Sequence, residues 1–353
     1  MSRFVKMISA LATLTLTVAT LGVATPTWAD EVSDGQWFHS FLRTTEAHRI
    51  TEGAGVTVAV IDSGVDATHP DLKGSVLPGA DLTEEGLGNG WTDREGHGTA
   101  MAGLIAAHGK VRGLAPAAKI MPVRESVWGV GTTTEIVDAI NWATAQKVDV
   151  ISISLAMDFD DPTMRTAVAA ALKADIVVVA GAGNKPDSAV GFPAAIPGVV
   201  AVAGVGRDGE HAKISVTGTA IVISAPSDDI SSTGLGHLWR KGTGTSDATA
   251  IVAGAVALVR AKYPDLSGPE IVHRITSTAI DKGPAGRDAQ YGFGVLDVVG
   301  ALTADVPPLG SSTPSPGGTK DPASDGPNPW PWVIGAIVAM GALVLVLRSR
   351  RRR

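Results

Sequence analysis

Between residues 56 and 304 the chain repeats one pattern: a short apolar, β-branched run, a polar or glycine-rich break, then a stretch with helical spacing of its apolar residues. The first run, Val56-Thr57-Val58-Ala59-Val60-Ile61, stops at Asp62-Ser63-Gly64. Residues 119–123, 148–155, 176–180, 199–205 and 221–225 are built alike. Runs this short and this uniformly apolar fit strands covered on both faces. The spacing predicts helices over 97–107, 134–146, 162–174 and 249–263. Ser267-Gly268-Pro269-Glu270 opens one more, with a capping box and a proline in its first turn. Regular alternation of strand and helix makes the strands parallel, because each helix returns the chain to the same end of the sheet. The expected fold class is α/β, with a mainly parallel central sheet between two helical layers. Ligand sites in such sheets lie beyond the carboxyl ends of the strands. The residues just after each apolar run are therefore the candidates for a site.

Asp62 ends the first run. Ser154, Leu155, Ala156 and Met157 lie at the end of the third. Gly181-Ala182-Gly183-Asn184 comes directly after the fourth. Two helices open on Gly96-His97-Gly98-Thr99 and Gly244-Thr245-Ser246. Asp62, His97 and Ser246 can therefore meet at one edge, with the Asn184 amide beside them. These are the groups that acyl transfer needs: a hydroxyl nucleophile, a base for its proton, a buried carboxylate to orient the base, and a donor for the developing oxyanion. Singly, each signal is weak. An Asp after a strand usually makes a turn, a His or Ser at a helix start usually caps it, and Asn after Gly usually turns the chain. Joint position and order carry the argument.

Those residues sit inside longer motifs. Val58-Ala59-Val60-Ile61-Asp62-Ser63-Gly64-Val65-Asp66, continued by His69-Pro70-Asp71-Leu72, resembles the aspartate motif of subtilisin-like serine proteases. Gly96-His97-Gly98-Thr99-Ala100-Met101-Ala102-Gly103 resembles their histidine motif. Gly244-Thr245-Ser246-Asp247-Ala248-Thr249-Ala250-Ile251-Val252-Ala253-Gly254 resembles the serine motif, and Val178-Val179-Ala180-Gly181-Ala182-Gly183-Asn184 the strand that ends in the oxyanion asparagine. The order Asp, His, Asn, Ser is the family's, and the resemblance covers residues 36–304. It implies a subtilisin-like three-layer fold and a serine endopeptidase acting on protein or peptide substrates. It also implies catalytic Asp62, His97 and Ser246, an oxyanion donor at Asn184, and a substrate cleft formed by Ser154, Leu155, Ala156 and Gly183.

The two ends have other jobs. Arg3 and Lys6 precede an uncharged stretch over residues 7–24, and Thr27-Trp28-Ala29 offers a cleavage site, so residues 1–29 are expected to be a signal peptide. An uncleaved anchor and a cut after Ala24 are the competing readings. Residues 333–347 are apolar or glycine without a charge. With Trp330-Pro331-Trp332 they make an 18-residue segment over 330–347, about 27 Å long as a helix, which fits a bilayer core. The flanking tryptophans and the arginine tail at 348–353 favour a membrane helix with a cytoplasmic C-terminus over a buried core helix. Residues 306–329 are expected to be a tether: from Pro307 to Pro329, seven of 23 residues are Pro and four are Gly. Signal, tether, one membrane helix and basic tail make the mycosins the nearest part of the family. These are membrane-anchored proteases associated with type VII secretion in actinobacteria. That resemblance implies an extracytoplasmic catalytic domain and secretion-system membrane components as partners. The competing role is a mainly structural part of such an assembly.

Composition removes several alternatives. Two of the 29 bases lie in the first 29 residues and five in the last six, which leaves 22 against 35 acids in the body. So acidic a body lacks the clustered bases that nucleic acid requires. Zero cysteines exclude disulfides and a thiol nucleophile. His39, His48, His69, His108, His211, His237 and His273 show no metal-binding spacing, and neither an EF-hand nor a P-loop is present, so no metal or cofactor is assigned. Residues 30–50 are a short extension before the domain at 51–305, too short for a folded propeptide. They are expected to pack on the domain surface, an inhibitory pro-segment being the other reading.

Three positions depart from the family pattern. Asp247 replaces the common apolar residue after the nucleophile and, if it faces the site rather than solvent, should favour a charged His97 and an alkaline activity optimum. Ala250 stands where the family usually has Pro. Ala156 and Met157 stand where it usually has Gly, which should narrow the cleft and restrict the peptides accepted.

Overall fold

The computed structural model describes residues 28–309, apart from Leu87. Nearly all of the expected signal peptide, the tether beyond residue 309, the membrane helix and the basic tail lie outside the described residues. Among the described residues no helix is long and apolar enough to cross a membrane.

Three short helices come first: α1 (Trp28–Gly35), α2 (Phe38–Phe41) and α3 (Thr44–His48). Then come β1 (Thr57–Asp62), β2 (Ala80–Asp81), α4 (His97–Ala106), β3 (Lys119–Arg124), α5 (Thr133–Ala145) and β4 (Val150–Ile153). Next are α6 (Pro162–Lys173), β5 (Val177–Gly181), β6 (Val200–Val205), β7 (Ile223–Pro226), β8 (Ile230–Thr233) and β9 (Trp239–Gly242). Helices α7 (Thr245–Lys262), α8 (Gly268–Ser277) and α9 (Val298–Thr303) complete the described chain. The main sheet has seven strands in the order β2-β3-β1-β4-β5-β6-β7, and every pairing is parallel.

Alternation along each strand builds the three layers. Val58 and Val60 of β1, Val177 and Val179 of β5, and Val200 and Val202 of β6 face a core shared with α4, α7, α8 and α9. Ala59 and Ile61, Val178 and Ala180, and Ala201 and Ala203 face the opposite core, shared with α5 and α6. The expected α/β sandwich is thus present. After β1 the chain builds β3 on one side of it and then β4 on the other. The order reverses beside β1, and that crevice is where such sheets place a ligand.

Several boundaries differ from the sequence expectation. Apolar spacing marks α7 only from 249, but the helix begins at Thr245, directly after Gly244 as its Gly244-Thr245-Ser246 opening predicts, so Ser246 lies in its first turn. It is buried almost all round, as a helix through the middle of a domain must be. Its early residues are small and polar because they serve contacts at the sheet edge, which hides the start from a search for apolar periodicity. Strand β4 keeps only Val150–Ile153 of the run at 148–155. The antiparallel β8–β9 hairpin has no apolar signature because hydroxyls seat it on α4. Ser232 Oγ donates to the Ala100 carbonyl and Thr233 Oγ1 to the Thr99 carbonyl, both at 2.6 Å.

The N-terminal extension does more than rest on the surface. Val32, Phe38, Leu42 and Ala47 belong to the same core as α4 and α7, and Phe38 is wholly enclosed. Gln36 exchanges two hydrogen bonds with the Arg112 backbone at 3.0 and 3.1 Å, and Trp37 Nε1 donates to the Asp228 carbonyl at 2.9 Å. Phe38→Ala should therefore cost about 3–5 kcal/mol of stability, as an enclosed aromatic does. Urea unfolding followed by tryptophan fluorescence checks this, and a change below about 1 kcal/mol would contradict the packing described.

Candidate active site

Strand β1 delivers Asp62 to the sheet edge, where its carboxylate is buried. Helix α4 begins at His97, directly against that edge. The approach is possible because residue 98 has no side chain. A Cβ on Gly98 would lie 2.1 Å from the Gly64 carbonyl oxygen and 3.1 Å from Asp62 Cβ. His97 Nδ1 consequently reaches both carboxylate oxygens of Asp62, at 2.8 and 2.9 Å. That bond puts the proton of a neutral imidazole on Nδ1 and leaves Nε2 as the acceptor.

Ser246 sits one residue inside α7, across from the end of β4. Its hydroxyl donates to the Ser154 carbonyl at 3.0 Å, while Ser154 Oγ donates to the Ser246 carbonyl at 3.2 Å. In this resting arrangement the Ser246 hydroxyl is bonded to β4's end and not to His97. A turn about χ1 is what would hand it to the imidazole.

Asn184 is reached by a bend after β5. Gly183, at φ 119°, takes a conformation that side-chain-bearing residues rarely adopt, and its N–H donates to Thr245 Oγ1 at 3.2 Å. Asn184 Oδ1 accepts from the Thr245 N–H at 2.8 Å and the Thr245 hydroxyl at 3.0 Å. A backbone N–H can only donate, so the amide orientation is decided: oxygen toward Thr245, Nδ2 outward as a donor. Thr245 drew no attention in the sequence, although it stands within Gly244-Thr245-Ser246.

Ser154, Leu155, Ala156, Gly183, Asn184 and Ser246 line one cleft of about 220 Å³. A larger apolar groove of about 740 Å³ lies elsewhere, bounded by Ile196, Val272, Phe293 and Leu309, and its lining includes neither a carboxylate nor a serine. Chemistry, not size, picks out the smaller cleft. Of the two residues expected to narrow it, Ala156 does so: a Cβ on Gly191 would be 2.7 Å from the Ala156 methyl, and one on Gly183 would be 3.7 Å away. Met157 does not line the cleft. Its backbone pairs with Phe192 on both sides at 2.8 Å, and its sulfur takes the Thr133 hydroxyl at 3.9 Å. None of residues 32–50 lines the cleft either.

Asp247 does not point to solvent: it is buried, its carboxylate lies against Gly242, where a Cβ would meet it at 3.1 Å, and its charge acts on His97. Burial pushes its carboxyl up to about 7, against the attraction of His97 and Arg240. His97 is raised too, but for the opposite reason, because its charged form is favoured. Burial favours its neutral form, but the Asp62 charge and hydrogen bond, with Asp247 behind them, outweigh this and raise it to about 9. Arg240 of β9 opposes that rise, and its Nη1 donates to the Gly96 carbonyl at 3.5 Å. No sequence signal pointed to Arg240, because the hairpin that brings it here has none. Among the described residues no group of three or more His, Asp or Glu side chains is arranged to hold a metal.

Comparison with known proteins identifies the family of the chain. Residues 53–294 match the model of the subtilase family. Subtilisin DY of Bacillus licheniformis is 37% identical over 71% of this chain and 92% of its own length. Mycosin-1 of Mycobacterium tuberculosis is 32% identical over 91% of this chain and 85% of its own. A crystal structure of MycP1 with the N-terminal propeptide removed superposes with a TM-score of 0.70 and 29% identity, covering 77% of this chain and 98% of the other. The chain belongs to the subtilase family, and is a subtilisin-like serine endopeptidase with a mycosin homologue.

The charges around His97 set its titration. Selectively labelled imidazole resonances should place His97 half-titration near pH 9. Asp247→Asn removes a carboxylate that favours the imidazolium, so half-titration should move to lower pH. An unmoved curve would show that Asp247 does not act on His97.

Proposed function

We propose that this subtilase is a membrane-anchored, extracytoplasmic endopeptidase that uses Ser246 as nucleophile, His97 as general base and then general acid, and Asp62 to orient and charge-balance the imidazole. The observation that carries the proposal is the two-oxygen contact of Asp62 on His97 Nδ1, at 2.8 and 2.9 Å; Ser246 and Asn184, which share one cleft, supply the other two groups the scheme needs. When a peptide binds, the Ser246 hydroxyl leaves the Ser154 carbonyl and turns to His97 Nε2. His97 takes its proton as Oγ attacks the scissile carbonyl carbon. The carbonyl oxygen becomes an oxyanion and is held by Asn184 Nδ2 and the Ser246 backbone N–H. The proton on Nε2 then passes to the departing amine, the C–N bond breaks, and an acyl-serine remains. Water repeats the sequence and releases the acid. The Ser154 carbonyl, freed of the hydroxyl, becomes an acceptor for substrate backbone.

General-base action needs neutral His97. Because its titration lies well above the ordinary histidine value, activity should climb as pH rises toward about 9. The Ala156 methyl takes space in the cleft, which supports a selective protease that favours small residues before the cut bond and is inefficient on unfolded casein.

The setting comes from the chain's ends and its mycosin homologue. A signal peptide, a Pro/Gly-rich tether and one C-terminal helix would hold the domain outside the membrane, where it would serve type VII secretion. Two experiments test the reading. A serine-directed phosphonate should label the full-length protein, and Ser246→Ala should abolish labelling and cut peptide hydrolysis by about 10⁴-fold or more; persistent labelling would remove Ser246 from its role. Secretion that survives Ser246→Ala but not loss of the whole chain would show that proteolysis is secondary to an architectural role. For specificity, Ala156→Gly should raise kcat/KM for peptides with large residues before the cut by about 10-fold while changing small-residue peptides little. Equal effects on both classes would contradict a steric role for the methyl.

A further inference from the structure

Between residues 91 and 96 a turn leads into α4 and carries Asp93, a half-buried carboxylate that the catalytic scheme leaves unused. Helix α4 opens on Gly96, at φ 87°, which has no side chain to cap it. The first N–H groups of a helix need acceptors, and a capping side chain ordinarily takes the N–H three residues on. Asp93 supplies this from outside the helix. Its Oδ2 accepts the Thr99 N–H at 2.9 Å and the Thr99 hydroxyl at 2.5 Å. Its Oδ1 accepts the Gly96 N–H at 2.8 Å and the Glu95 N–H at 3.0 Å.

The same carboxylate reaches β1. Ser63 Oγ donates to Asp93 Oδ1 at 3.0 Å and accepts the Gly98 N–H at 3.0 Å. The Ser63 N–H in turn donates to Asp62 Oδ1 at 2.8 Å. Gly96, bonded to Asp93, and Gly98, bonded to Ser63, are the two neighbours of His97, and Ser63 is the neighbour of Asp62, so the Asp93–Ser63 pair ties all of them together. The Asp62–His97 contact joins residues 35 apart in sequence, and this network is the polar clamp that spans the same gap.

We propose that Asp93 is a positioning residue: it fixes the first turn of α4 against the end of β1 and thereby sets the Asp62–His97 contact. This rests on the catalytic scheme above and deepens it. Five donors converge on the two oxygens, so an amide cannot substitute. Asn at this position keeps one acceptor and turns an NH2 group on donors at the other, releasing either the Thr99 arm or the arm to Gly96 and Ser63. A shift of about 1 Å at a catalytic base is enough to cost about 100-fold in rate.

The test uses the full-length protein with Asp93→Asn, with Ser63→Ala as a variant that cuts only the β1 arm, and with Ile140→Val as a core-weakened control on the opposite side of the sheet. Asp247 and Arg240, which also face His97, are unchanged in all three. In Asp93→Asn, kcat for a chromogenic peptide should fall about 10- to 100-fold with KM within about twofold. His97 half-titration should move to lower pH as Asp62 loses its grip. Ser63→Ala should move both readings in the same direction by less, and Ile140→Val should leave both in place. Wild-type kcat and titration in Asp93→Asn would overturn the proposal. So would a fall in kcat with an unmoved His97 titration, because Asp93 would then act elsewhere. Should Asp93→Asn not fold, Ser63→Ala decides by the same two readings. Failure of the catalytic scheme is distinguishable: it would appear as phosphonate labelling that survives Ser246→Ala, whereas the His97 titration needs no turnover.

Discussion

The structure turns on the close approach of one helix N-terminus to one strand end. Helix α4 must touch the end of β1 for His97 Nδ1 to span both oxygens of Asp62, and that approach tolerates no side chain at Gly98. Much of the rest can be understood as making this contact permanent. The sheet places β1 between β3 and β4, so Asp62 emerges where the strand order reverses. The hairpin β8–β9 is bonded to α4 through Ser232 and Thr233 and holds the helix down from its outer side.

A contact of that kind holds opposed charges in a partly enclosed space, and the surroundings decide their balance. Asp62 and Asp247 favour the imidazolium, while burial and Arg240 favour the neutral ring. The carboxylates win, so the proposed base is held in its charged form through neutral pH. The expected alkaline activity rests on that balance and not on any single residue. Asp247 could be suspected from its place beside Ser246. Arg240 could not, since it arrives from a hairpin whose only recognisable sequence feature is a lack of features.

The cleft shows the same division. Ser246 and Ser154 bond to each other across the gap between α7 and β4, so the hydroxyl rests in a position from which it would have to turn to act as the proposed nucleophile. Asn184 is prepared in advance, because Thr245 occupies its oxygen with two donors and leaves the nitrogen facing out. Ala156 and Met157 looked equivalent as added bulk. Only Ala156 meets the cleft, whereas the Met157 sulfur is taken by the Thr133 hydroxyl.

The sequence alone determined the layer architecture, because six apolar runs separated by helical stretches leave a parallel sheet as the simplest way to cover both faces of every strand. It also made Asp62, His97, Asn184 and Ser246 candidates for one edge, because a parallel sheet collects its strand ends, and the starts of the helices that follow them, on one side. Tertiary structure alone decided what depends on contacts between distant segments. Phe38 and its neighbours became core because a groove against α4 and α7 was there to receive them. The β8–β9 hairpin formed because hydroxyls found carbonyls on α4. Thr245 and Ser246 in the first turn of α7 found Asn184 and Ser154, 61 and 92 residues away in sequence, as partners. Apolar periodicity reports what a segment buries by itself. It is silent about polar groups whose partners lie many residues away, and in this protein those groups make up the site.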